Sequence, residues 1–269
     1  MRRPLPLVPV QRLLTALLLC CAPLAHALDW QDNPQIARLF ADAGIHGTFV
    51  LYDVSGNRLV GHDRSRAESR FPPGSTFKVA NALIGLANGA VAGVDTLLPY
   101  GGGRLALPAW ERDMSLREAM AVSNLAIFQG LARRVGLPRM RAELTRLGYG
   151  NAQTGGTVDR FWLDGSLTIS AVEQARLLAD LARGALPYPA EVQAAVRDLV
   201  RLESNAGHTL YGKTGWPTYP EPGVGWWVGW LHKDDRVYAF ALNMDMREAA
   251  DAARRVALGR ACLAELGIL

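Results

Sequence analysis

The sequence predicts an α/β (α+β) fold: an antiparallel sheet assembled from both ends of the chain and flanked by helices, with a mostly helical lobe between. Three observations predict it. Strand-like runs lie at residues 47–61 and again at 209–244, while the interval 71–204 reads as one helix after another. The last strand run is apolar on both alternating faces, with Tyr238, Phe240, Leu242 and Met244 on one and Val237, Ala239 and Ala241 on the other. A sheet that is apolar on both faces needs helices on both sides.

The chain opens on Arg2, Arg3 and Arg12 before the apolar run Leu13–Ala22, and Ala25-His26-Ala27 follows. That is the pattern of a cleaved secretory leader over residues 1–27. The run has ten residues, where a bilayer span needs roughly twenty. The expected destination is the periplasm, with no membrane attachment after cleavage. Removing the leader's three arginines takes the net charge from +4 to +1. No basic run remains, so nucleic acid is not an expected partner. Cys20 and Cys21 leave too, and Cys262 alone cannot form an intrachain disulfide. The histidines at 46, 62, 208 and 232 lack ligand spacing, so neither a metal nor a bound cofactor is expected.

After the leader, Pro34–Ala43 carries helical spacing, Gly47–Asp53 reads as a strand, and Ser55-Gly56-Asn57 turns the chain back into Arg58–Gly61. Helical patterns follow at Thr76–Ala87, Ser115–Arg134, Pro138–Leu147, Ala171–Arg183 and Pro189–Leu202. Thr209–Trp216, Gly225–Leu231 and Val237–Met244 return to strand, and Ala249–Leu266 closes with a helix. The mature chain thus divides into an α/β lobe (28–70 and 205–269) and a mostly helical lobe (71–204), with the site expected between them. Gly101-Gly102-Gly103 lacks a following Lys-Ser/Thr and reads as a loop, not a phosphate cradle.

The chemistry is marked by lysine usage. The chain has three lysines and twenty-six arginines, and only an amine can be made neutral at working pH. Lys78 ends Ser75-Thr76-Phe77-Lys78, Lys213 opens Lys213-Thr214-Gly215, and Lys233 sits in a polar turn. Three residues is close to one helical turn, so Lys78 lies on the same face as Ser75. A serine hydroxyl needs a base beside it to become a nucleophile, and burial among Phe77, Val79 and Ala80 can make Lys78 that base. Ser123-Asn124-Leu125 reads as lying inside a helix, with Ser123 a candidate proton shuttle. Strand alternation puts Lys213 and Gly215 on one face. The bare Gly215 lets a substrate pair with the strand edge, and the Trp216 N–H can donate to an oxyanion.

With these three motifs in order, the chain resembles the class D serine β-lactamases (oxacillinases), in particular chromosomal enzymes of Gram-negative bacteria. Tyr149-Gly150-Asn151, Phe161-Trp162-Leu163, Gly225-Trp226-Trp227-Val228-Gly229-Trp230 and Phe240-Ala241-Leu242-Asn243-Met244-Asp245 extend the match from about residue 47 to the C-terminus. The resemblance implies the fold shared by serine β-lactamases and penicillin-binding proteins, and hydrolysis of β-lactam antibiotics through an acyl-enzyme on Ser75. It implies CO2 as the one co-reactant, held by Lys78 as a carbamate (N6-carboxylysine) that serves as general base, with the Trp162 indole donating to it. Arg255, in competition with Arg254, is expected to bind the substrate carboxylate beside Lys213 and Thr214; Leu163 and Leu125 line the same site. Class A enzymes place a base in E-x-x-L-N, and none of Glu143, Glu173, Glu191 or Glu203 begins that pattern. Leu125 stands where the family usually has valine, and is expected over the carbamate. Trp226, Trp227 and Trp230 read as strand packing, and Tyr149-Gly150-Asn151 as the shaper of the loop to Trp162. A penicillin-sensor domain or a D,D-peptidase, acylated without efficient turnover, shares the three motifs and is the alternative. Oligomeric state is not legible.

Overall fold

The computed structural model describes residues 29–269 apart from 218 and 220; the leader expected at 1–27 lies outside the described residues. Strand β1 (Asp29–Asp32) leads into helix α1 (Pro34–Asp42). Asn33 caps α1 by accepting from the N–H groups of Gln35 and Ile36, and Pro34 occupies the position where no donor is needed. The hairpin β2 (Gly47–Asp53) and β3 (Arg58–His62) follows, then α2 (Arg64–Glu68) and β4 (Arg70–Phe71). A 3-10 turn at Gly74–Phe77 runs directly into α3 (Lys78–Ala87). The middle of the chain supplies α4 (Leu116–Ala121), α5 (Leu125–Val135), α6 (Leu137–Leu147), the short β5 (Ile169–Ser170), α7 (Ala171–Arg183) and α8 (Ala190–Leu199). It closes with β6 (Arg201–Ser204), β7 (Thr209–Gly215), β8 (Gly223–Lys233), β9 (Arg236–Met246) and α9 (Asp251–Glu265).

Seven strands form one sheet in the order β1-β3-β2-β9-β8-β7-β6, and β4 pairs with β5 apart from it. The sheet is mixed, because β1 runs parallel to β3 while the other neighbours are antiparallel. Both faces are covered, as the alternation in β9 requires. Phe240, Leu242 and Met244 pack with Ile36 and Phe40 of α1 and Leu258, Cys262 and Leu263 of α9. On the other face Ala239 and Ala241 meet a core that includes Ala171, Ala175, Leu178 and Ala179 of α7. Small residues on both sides of that contact let the helix lie close to the strands. Capping fixes where α7 starts: Ser170 and Glu173 form a reciprocal capping box.

Three elements depart from the sequence reading. β1 was not anticipated; Asp29-Trp30-Gln31-Asp32 is mostly polar and exposed, held by pairing with residues 58–61 and by the half-buried Trp30, so it carries no strand pattern of its own. The helix expected to reach Leu202 ends at Leu199, and the next residues become edge strand β6 by pairing Arg201 with Tyr211. The helix expected over Ser115–Arg134 is broken. Ser123 takes a left-handed conformation (φ 55°), and Asn124 begins α5 by accepting from the Ile127 N–H. The break therefore lies at Ser123, which stands in a turn and not inside a helix.

Candidate active site

Ser75 lies in the turn Pro72-Pro73-Gly74-Ser75, which is tied to the sheet and to α7. The Trp226 indole of β8 donates to Pro72 O at 2.9 Å. The Thr76 hydroxyl donates to Pro73 O at 2.8 Å and accepts from Gln174 of α7 at 2.9 Å. Gly74 has a φ of +52°, and a Cβ there would stand 2.6 Å from the Pro217 side chain. Gly215 is demanded by the same packing: its Cβ would lie 2.7 Å from Pro73 O. The close seat of β7 on the serine turn is thus a packing reason for glycine here, besides the expected room for substrate at the strand edge.

Lys78 follows as the first residue of α3. It is 1% exposed, and its Nζ donates to Ser75 Oγ at 2.7 Å. The Phe128 ring of α5 lies with its centroid 5.7 Å from that nitrogen, and the buried Asn81 amide holds α5 in place by donating to Phe128 O at 2.9 Å. Burial first, and the charge of Lys213 second, push the Lys78 amine well below the usual lysine range.

Ser123 and Lys213 meet across ninety residues. Lys213 Nζ donates to Ser123 Oγ and to Thr214 O, each at 3.0 Å. The left-handed backbone at Ser123 presents this hydroxyl, and Trp110 locks the turn from outside by donating to Val122 O at 3.1 Å. Asn124 accepts no solvent role: its amide donates to Trp110 O at 3.1 Å. Burial, then the charge of Arg255, pushes Lys213 down to about 8.

Arg255 of α9 reaches the same strand, donating to Gly215 O at 2.5 Å and to Ala252 O at 3.0 Å. Among the described residues it has no carboxylate partner, whereas Arg254 is committed to Asp251 at 2.9 Å and to Ala43 O. Of the two arginines, only Arg255 is available to an incoming anion. The Gly212 N–H of β7 donates to Val200 O on the β6 side. Alternation turns Thr214 and Trp216 to that same edge, beyond the point where β6 has ended. Among the described residues neither the Trp216 nor the Ser75 N–H has an acceptor.

Trp162 is buried beside the serine turn. Gly74 N–H donates to Trp162 O at 3.0 Å, and Phe77 stacks on the indole at 5.2 Å. Its Nε1–H, fully enclosed, has no partner among the described residues. Tyr149-Gly150-Asn151 shapes the loop that carries it. A Cβ on Gly150 would collide with Thr168 O, and Asn151 accepts from Thr168 N–H at 3.0 Å while donating to Ser166 O at 2.9 Å. Leu163 is half-buried in the next turn, and Leu125, half-buried, opens α5 two residues after Ser123. Trp227 and Trp230 serve packing, against Phe240 and Tyr211 respectively. Sequence reasoning did not find Thr76, Gln174, Phe128, Asn81 or Trp110. Asn81 in apolar α3 and Gln174 on the buried face of α7, polar residues among apolar ones, left a visible signal.

Residues 47–264 match the model of the penicillin binding protein transpeptidase domain. The chain is 38% identical over 233 residues to Beta-lactamase OXA-5 of Pseudomonas aeruginosa, covering 86% of this chain and 87% of that one. It is 37% identical to Beta-lactamase OXA-48 of Klebsiella pneumoniae, with 82% and 84% covered. The crystal structure of FUS-1 (OXA-85), a class D β-lactamase from Fusobacterium nucleatum subsp. polymorphum, superposes with a TM-score of 0.87 at 38% identity, covering 89% of this chain and all of that one. A domain match of this extent, joined to relatives of this identity and to a superposing fold, establishes that the chain belongs to the class D β-lactamases.

Proposed function

We propose that this protein hydrolyses β-lactams, using Ser75 as the nucleophile and a carbamate on Lys78 as the base for both steps. The observation that carries the reading is the 2.7 Å contact from an enclosed, pKa-depressed Lys78 amine to Ser75 Oγ. A neutral amine adds CO2 and releases one proton, and burial is what makes this amine neutral. The pocket suits the group, because the Trp162 Nε1–H is an enclosed donor without an acceptor. When present, the carbamate supplies a carboxylate-like base at the end of the lysine side chain.

The protein's own residues do the rest. Ser75 gives up its proton at the Lys78 side chain as Oγ bonds to the lactam carbonyl carbon. The developing oxyanion accepts from the Ser75 and Trp216 N–H groups. The C–N bond breaks, and the departing nitrogen takes a proton from Ser123, which Lys213 Nζ replenishes across its 3.0 Å hydrogen bond. Arg255 and Thr214 hold the substrate carboxylate, with Lys213 adding charge. The proton left at Lys78 then passes through solvent to the depleted Lys213. The Lys78 side chain can therefore take a proton from the water that attacks the Ser75 ester and hand it to Ser75 Oγ as the ester bond breaks. Leu163 and Leu125 confine the space in which that water must fit. The matching proteins are named as β-lactamases, which supports the same substrate class here. An exported, periplasmic enzyme acting on antibiotics accords with this reading.

Purified protein mixed with excess nitrocefin is expected to turn over many equivalents. A single burst equal to the enzyme concentration would instead mark a sensor or peptidase that is acylated and stays acylated.

A further inference from the structure

The peptide between Pro73 and Gly74 is held at both ends. Its carbonyl accepts from the Thr76 hydroxyl at 2.8 Å, and from the Thr76 N–H at 3.2 Å as the 3-10 turn closes. Its N–H donates to Trp162 O at 3.0 Å. The next peptide carries the Ser75 N–H. Between the two stands Gly74 at φ +52°, with no Cβ to restrict how that second peptide swings. The direction of the Ser75 N–H therefore depends on how firmly the first peptide is fixed.

Thr76 fixes the carbonyl end, and Gln174 fixes Thr76. A carbonyl only accepts, so the one hydroxyl proton of Thr76 goes to Pro73 O, and its lone pairs are left for a donor. The Gln174 amide supplies that donor at 2.9 Å, which sets the direction of the chain from Gln174 through Thr76 to Pro73. Thr76 is 3% exposed and Gln174 2% exposed, so solvent does not replace either bond. The methyl of Thr76 abuts the strand of the other oxyanion donor: a Cβ on Gly215, one residue before Trp216, would stand 2.9 Å from Thr76 Cγ2. Gln174 is itself firmly placed. The residue before it, Glu173, closes the capping box of α7 and takes the guanidinium of Arg70 from β4, the strand that leads into the serine turn.

We propose that Gln174 is a positioning residue for the oxyanion site, acting through Thr76 to aim the Ser75 N–H at the lactam carbonyl oxygen. The inference rests on the proposed acylation of Ser75. An oxyanion donor is most effective when it already points at the place where charge develops, and this buried chain supplies that preorganisation. A merely structural contact would need the shape of Thr76. The positioning role needs its hydroxyl.

Rapid mixing of nitrocefin with excess enzyme gives the acylation rate constant and the dissociation constant of the complex that precedes it. Native enzyme is compared with Thr76→Val, Thr76→Ser, Gln174→Met and the double variant Thr76→Val with Gln174→Met. Valine keeps the shape and loses the hydroxyl; serine keeps the hydroxyl and loses the methyl; methionine keeps the length of glutamine without its donor. Thr76→Val is expected to acylate about tenfold to a hundredfold more slowly, the cost of a small misplacement at the reacting centre, with the dissociation constant within about twofold of native. Thr76→Ser is expected within about threefold of native, and Gln174→Met is expected to lose about tenfold, the range one hydrogen bond spans. The double variant is expected to match Thr76→Val, because both changes break one chain. Thr76→Val acylating at the native rate, Thr76→Ser as slow as Thr76→Val, additive losses in the double variant, or a loss confined to the dissociation constant would each overturn the proposal. Acylation is read here before any deacylation. An enzyme that stays acylated would thus contradict the hydrolytic reading and leave this order of variants intact.

Discussion

Lys213 stands close enough to Lys78 for its charge, added to burial, to disfavour the ammonium form of Lys78. Two lysines in one enclosed site cannot both be cations cheaply, and the structure separates their duties. Lys78 has Ser75 Oγ as its hydrogen-bond partner, while Lys213 is held by Ser123 Oγ and Thr214 O and so keeps its proton more readily.

This division predicts a bell-shaped pH dependence of kcat/KM. The acidic limb reflects protonation of the Lys78 amine and loss of its carbamate. The alkaline limb reflects loss of the Lys213 proton, near pH 8 in the free enzyme. A bound substrate carboxylate favours the charged lysine, so the alkaline limb of kcat is expected at higher pH than that of kcat/KM. Coincident limbs would argue against Lys213 as the proton source.

Stability has a matching signature. With Lys213 depressed to about 8 when folded and near 10.4 when unfolded, the unfolded chain binds more protons between those values. Its contribution therefore makes folding more favourable as pH rises through that window and is flat below it. Urea titrations of native enzyme and Lys213→Met are expected to show their difference in unfolding free energy changing in the native enzyme's favour from about pH 8 to about pH 10.

Ser123→Gly and Ser123→Ala both delete the hydroxyl that accepts from Lys213, and both are expected to lose about 10²–10⁴ in kcat/KM. They differ only in backbone freedom at φ 55°. Glycine adopts that region without the Cβ penalty, so the glycine variant is expected to be about 1 kcal/mol more stable than the alanine variant in the same titration. Equal stabilities would mean that the left-handed turn is not retained.

Much of this was legible from residues alone. Apolar alternation in Val237–Met244 announced a sheet covered on both sides, and α1 and α9 on one face with α7 on the other supply that cover. Ser75 and Lys78 could be paired because three residues return a helical chain to the same face, and a 3-10 turn serves that purpose as well as an α-turn. The contact between Ser123 and Lys213 is long-range, and local pattern gave no warning that Ser123 breaks its helix. Its left-handed conformation is held by Trp110 and Asn124, which meet it from a separate loop and the start of α5. In sequence, Arg255 is preferred to Arg254 by the family register alone. Only the ion pair with Asp251 shows which of them is occupied.

Leu125, which the family resemblance puts over the base and not beside the lactam carbonyl, is expected to slow deacylation more than acylation. An extra methylene in a confined site costs about 1–3 kcal/mol, and 1.4 kcal/mol is about tenfold in rate. Leu125→Val is therefore expected to speed release of slow acyl-enzymes or to lessen dependence on added bicarbonate. Rapid mixing with a slowly hydrolysed substrate resolves the two steps; a change confined to acylation would place Leu125 in the substrate pocket instead.

Ser75→Ala is expected to abolish both turnover and covalent trapping of penicillin while leaving Lys78 able to react with CO2. Mass spectrometry after incubation with benzylpenicillin checks the first part. A penicillin adduct on any other residue of the folded variant would remove Ser75 from its role.

The carbamate on Lys78 is tested most directly by 13C NMR of the enzyme equilibrated with 13C-bicarbonate, with nitrocefin turnover read on the same sample. A single protein-bound carbamate resonance is predicted at neutral to alkaline pH, present in native enzyme and Ser75→Ala, absent in Lys78→Ala, and weakened in Trp162→Phe, which lacks the enclosed indole donor. Its intensity is predicted to fall with activity as the sample is acidified and to return with it. Full turnover in a sample that shows no such resonance would contradict the account.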